Sequence, residues 1–70
     1  MKRAELDFSA ISELMDIRGV GGTAALAQQS HIARPHLYHL MRFPERASLV
    51  TVTRLCAALK CRPGDILVLK

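Results

Sequence analysis

The chain has little cysteine, no long apolar run and, through its middle, almost no acidic residue, and each shortage removes a class of protein. The only cysteines are Cys56 and Cys61. They match no C-x-x-C spacing and have no neighbouring ligand pair, so a zinc site is not expected and the default is small buried thiols in a reducing cytosol. No apolar stretch approaches the ~20 residues that span a bilayer, and the first eight residues, MKRAELDF, lack a signal peptide's apolar segment. A soluble, cytoplasmic protein is expected. There is no nucleophile with an adjacent base and no glycine loop of nucleotide-binding form, so no enzyme and no cofactor are expected. Three histidines, His31, His36 and His39, are not backed by cysteine or carboxylate, so no metal is expected either.

What is present is a globular balance. Of 70 residues, 50% are apolar and 23% charged, an apolar content that disordered chains do not reach. That length allows a single domain, residues 1–70, with a modest core. The net charge of +4 is unevenly spread. Residues 1–22 carry a net of −1, whereas between residues 23 and 62 Arg34, Arg42, Arg46, Arg54, Lys60 and Arg62 face Glu45 alone. Clustered cations of this kind suit a polyanionic partner, because binding a phosphate backbone releases counterions.

Along the chain, short helical patterns alternate with breaks. Leu6, Ala10, Ile11, Leu14 and Met15 recur at helical spacing and predict a first helix over about residues 4–18, stopped by Gly19. Gly19, Gly21 and Gly22 form the first break, after which Thr23 offers an N-cap oxygen for a second helix whose inward residues are Leu26, Ala27 and Ser30. A break at His31 and Ile32 leads to a third helix, with Pro35 in its first turn and Leu37, Leu40 and Met41 facing inward. Residues 43–47, FPERA, read as a loop. Ser48 restarts the chain as a fourth helix with a stripe of Leu49, Val52, Leu55, Cys56 and Leu59. Pro63 opens a last turn or two ending in Ile66, Leu67, Val68 and Leu69, a tail more apolar than one helix face of a small monomer needs.

Two helices joined by so short a turn must cross steeply, with a small residue at the crossing and apolar residues on both inner faces. Ala27 is that small residue, and Leu26, Ile32, Leu37 and Leu40 form the wedge. The stretch TAALAQQSHIARPHLYHL, residues 23–40, resembles the helix-turn-helix of the phage repressor and Cro type, also called the xenobiotic-response-element family. RGV at residues 18–20, SLVTVTRLCAAL at 48–59 and CRPGDIL at 61–67 extend the likeness over roughly residues 10–67. The resemblance implies an all-α, lambda-repressor-like bundle of five short helices, with the motif formed by helices two and three. Three positions depart from the family pattern. His31 stands where a left-handed glycine is usual, Ala24 where a phosphate-contacting glutamine is frequent, and Ala33 where Ser or Thr caps the recognition helix. Gly21 and Gly22 also lengthen the loop before the second helix by one residue.

At 100° per residue Pro35, Tyr38, His39 and Arg42 point away from the apolar face of the third helix, with Arg34 beside them. The resemblance places base contacts on the first turns of this helix, which implies Arg34, Pro35, Tyr38 and His39. Arg34 is the strongest reader, since a guanidinium bonds both O6 and N7 of guanine. The resemblance also implies that Arg42 and Arg46 contact phosphate or approach the minor groove, with further phosphate contacts from His36 and from the amides at the start of the second helix around Thr23 and Ala24. The function implied is sequence-specific binding of double-stranded DNA by a small transcriptional repressor acting as a homodimer, with Ile66, Leu67, Val68 and Leu69 as the dimer contact. The alternative is an antitoxin or adaptor whose main partner is another protein, a toxin in the first case.

Overall fold

A computed structural model describes residues 3–70. The polypeptide begins in β1 (Ala4–Leu6) and ends in β2 (Leu67–Leu69), which pair antiparallel with Ala4 opposite Leu69 and Leu6 opposite Leu67. Reciprocal bonds between Arg3 and Lys70, at 2.8 and 2.9 Å, carry the ladder one residue further. Between the strands lie α1 (Phe8–Arg18), α2 (Thr23–Ser30), α3 (Arg34–Arg42), a single 3₁₀ turn (Pro44–Arg46), α4 (Leu49–Leu59) and α5 (Pro63–Ile66). The all-α bundle of five helices therefore stands, with a two-strand clasp added.

The helix starts have identifiable causes. Asp7 caps α1, its carboxylate accepting from the amides of Ser9 at 3.1 Å and Ala10 at 3.3 Å. This cap corrects the expected start near residue 4. Leu6 is buried as expected, but from a strand rather than a helix. Gly22 occupies the N-cap of α2 with Thr23 as its first helical residue, so the Thr23 side chain does not cap. Ser48 caps α4 as expected, its Oγ accepting from the Thr51 amide at 3.2 Å. The 43–47 loop contains the 3₁₀ turn, which Pro44 opens.

The core gathers Ile11 from α1, Leu26 and Ala27 from α2, Leu37 and Leu40 from α3, and Leu55 and Leu59 from α4. Two residues expected inside lie outside it: Met41 is 46% exposed and Leu49 79% exposed. Both have the right helical phase, but Leu49 is the first residue of α4 and Met41 borders an open groove of about 180 Å³ between α1, the start of α2 and α3. A helix end that overhangs its neighbours wets residues that share the buried stripe's phase. The apolar tail divides in the same way. Ile66 is fully buried in the monomer core, so it cannot be a dimer contact, whereas Leu69 on β2 is 66% exposed.

Candidate nucleic-acid interface

The α2 and α3 helices meet across His31, Ile32 and Ala33. His31 takes a left-handed conformation, φ 57° and ψ 35°, as the glycine-like turn position requires. Its amide donates to the Gln28 carbonyl at 3.4 Å, and the Ile32 amide donates to that of Ala27 at 3.1 Å, closing α2 and redirecting the chain. Inside the corner Leu26, Ala27 and Ile32 are buried, and the Ser30 hydroxyl donates to the Leu26 carbonyl at 2.6 Å. A buried hydroxyl so satisfied costs little to bury. Ala33 caps α3 without a side-chain bond, and Pro35 sits in the first turn where its missing amide costs nothing.

Leu37 and Leu40 are fully buried, and the opposite face of α3 is solvent-facing. Arg34, Pro35, His36, Tyr38, His39 and Arg42 are all exposed, with Tyr38 at 52%. Arg46 is exposed on the 3₁₀ turn beyond, while Thr23 is half-buried and Ala24 exposed at the start of α2. Phe43, which carried no expected role, organises the far end of this face. The His39 ring lies 5.0 Å from the Phe43 ring, centre to centre, and the Arg42 and Arg46 guanidiniums each stand 5.8 Å from it. Two cations and an imidazole thus lie against one aromatic ring, the guanidiniums within range of a cation–π attraction. The signal for it was the sequence RFPER itself, an aromatic flanked by arginines.

A solvent-facing helix with cationic side chains along it, propped on a second helix by an apolar corner, is the geometry of a helix-turn-helix. A family model of the Cro/C1-type HTH DNA-binding domain matches residues 10–70. The chain belongs to this family. No curated protein and no solved structure matches it. As a Cro/C1-type domain the protein binds DNA, and transcriptional regulation is the associated role. Among the described residues no helix is long and apolar enough to cross a membrane, and no group of three or more His, Cys, Asp or Glu side chains is placed to hold a metal.

The two cysteines of this Cro/C1-type domain lie where α4 ends, with Cys56 buried and Cys61 half-buried. Burial, then the neighbouring Cys56 sulfur and the Asp65 carboxylate, push the Cys61 thiol up to about 11 against the opposing pull of Arg18. The thiolate is the nucleophile, so at pH 8 Cys61 is expected to alkylate with iodoacetamide at least tenfold more slowly in the native protein than in urea. Equal rates in the two states would show that the native environment does not hold the proton on sulfur. The same shift makes the native state bind more protons than the unfolded one between about pH 9 and 11. Its contribution to stability is therefore full below pH 9 and declines as pH rises through that window.

Proposed function

We propose that the protein is a sequence-specific transcriptional repressor that binds duplex DNA as a homodimer, with α3 of each copy in the major groove of one half-site. The observation that carries this reading is the division of α3 into a fully buried Leu37 and Leu40 face and an exposed face bearing Arg34, Pro35, Tyr38 and His39. These four are the proposed base readers. Arg42 and Arg46, held beside Phe43, follow the phosphates past the end of α3, together with His36 and the amides of the first turn of α2 around Thr23 and Ala24. Half-sites about 34 Å apart require two copies in contact. Within the tail the contact falls to Leu67, Val68 and Leu69 on β2, which pairs with β1 along one edge and has a second edge to offer.

Selection of bound duplexes from a random pool tests the proposal. The expected product is a palindrome with two half-sites one helical turn apart, bound with an affinity that falls with salt by about 0.9 log units per decade for each phosphate neutralised. An unenriched pool at low salt would overturn it and favour the antitoxin or adaptor reading, in which a protein is the main partner.

A further inference from the structure

Among the described residues, two other than glycine hold a positive φ, His31 at 57° and Lys60 at 53°. Both close helices, α2 and α4, whose last turns contain no basic residue, so nothing within the helix compensates the negative end of its dipole. Both also have their carbonyl oxygen bonded by an arginine from a different helix. Arg54, on α4, donates through Nη1 to the His31 carbonyl at 3.1 Å. Arg18, on α1, donates through Nη2 to the Lys60 carbonyl at 3.2 Å and through Nε to that of Leu59 at 3.0 Å. The left-handed well costs an L side chain more than it costs glycine, and in each case a remote guanidinium locks the peptide that has entered it.

We infer that Arg54 is a positioning residue for DNA recognition, acting through the His31 carbonyl rather than on a phosphate. The inference rests on the reading of α3 as the groove-entering helix. His31 lies three residues before Arg34, so the orientation of its peptide sets where α3 starts and how it leaves α2. Arg54 belongs to the same turn of α4 as Leu55, which is fully buried, and so ties the corner to a helix anchored in the core. Recognition needs its side chains held within about 0.5 Å, and a corner freed to leave the left-handed well displaces Arg34, Pro35 and Tyr38 together. Arg18 supplies the internal control. It makes the same kind of bond to the same kind of cap, and the shallow pocket around it is lined by α1 and residues 60–65, with none from α2 or α3.

The test compares the unaltered chain with Arg54→Ala, Arg18→Ala and Arg54→Ala combined with His31→Gly. Affinities for a selected and a random duplex are measured across a salt series, at a temperature where circular dichroism shows each variant folded. Arg54→Ala is expected to weaken selected binding about tenfold, the scale of one charge-assisted hydrogen bond, with random binding and the salt slope unchanged. Arg18→Ala is expected to lower the melting temperature and leave the selected-to-random ratio alone. His31→Gly, which removes the penalty of the left-handed well, is expected to restore most of what Arg54→Ala loses. A loss shared by both duplexes, with the slope shallower by about one, would make Arg54 a phosphate contact and overturn the inference. No loss from Arg54→Ala, or equal ratio losses in the Arg54 and Arg18 variants, would overturn it too. If Arg54→Ala does not fold, Arg54→Gln replaces it: taking the charge off a phosphate contact lowers both affinities and makes the salt slope shallower by about one, whereas weakening the brace lowers the selected affinity and leaves the slope alone. Failure of the unaltered chain to bind any duplex would instead remove the underlying reading.

Discussion

Replacing Leu37 with alanine is expected to lower the unfolding free energy by about 2–5 kcal/mol, the range for truncating a fully buried leucine. Leu37 has no exposed surface and sits where α3 lies against the core. A 70-residue domain at about 0.05–0.15 kcal/mol per residue has only roughly 4–10 kcal/mol in total, so the variant should be partly unfolded near 40 °C. Urea denaturation followed by circular dichroism measures the difference. Met41→Ala on the same helix, at a position 46% exposed, should cost less than about 1 kcal/mol. Similar losses at the two positions would mean that α3 is not packed through the face described.

Replacing Arg34 with alanine should leave stability nearly unchanged, because the side chain is exposed at the start of α3. Its expected effect is on DNA. The variant should lose about 1–3 kcal/mol of discrimination at one base pair, a factor of roughly 5 to 150, while the other positions of the site keep their preference. Selection repeated with Arg34→Ala reads this as one degenerate column in each half-site. Arg34→Lys should recover the charge without the fork, and so restore affinity more than preference. A selected site identical to that of the unaltered chain would remove Arg34 from the reading surface.

Most of the corner was legible in the sequence because its determinants are local. Ala27, Ser30 and Leu37 follow from helical spacing, and the left-handed state of His31 is what the family resemblance implied for that turn position. The exposure of the α3 face followed from the same periodicity, since a helix that buries Leu37 and Leu40 must turn Tyr38 and His39 outward. What escaped depended on partners distant in sequence. Residues 4–6 carry a helix-compatible pattern, and only pairing with residues 67–69 makes them a strand, a case of tertiary context overriding local preference. Leu49 and Met41 failed for a related reason, since periodicity gives the phase of a helix and not how far its ends project beyond the elements it packs on. The bonds from Arg54 and Arg18 to backbone carbonyls span 23 and 42 residues, and nothing local to either arginine marks them.

The clasp between β1 and β2 places both ends of the described chain side by side, and β1 also touches the Pro44–Arg46 turn. A peptide fused at either end is therefore carried on the side of the domain that holds the Pro44–Arg46 turn. A polyhistidine or lysine-rich extension at either end would add its own cations there and imitate native affinity for polyanions, so purification handles for quantitative work on this domain are best cleaved off.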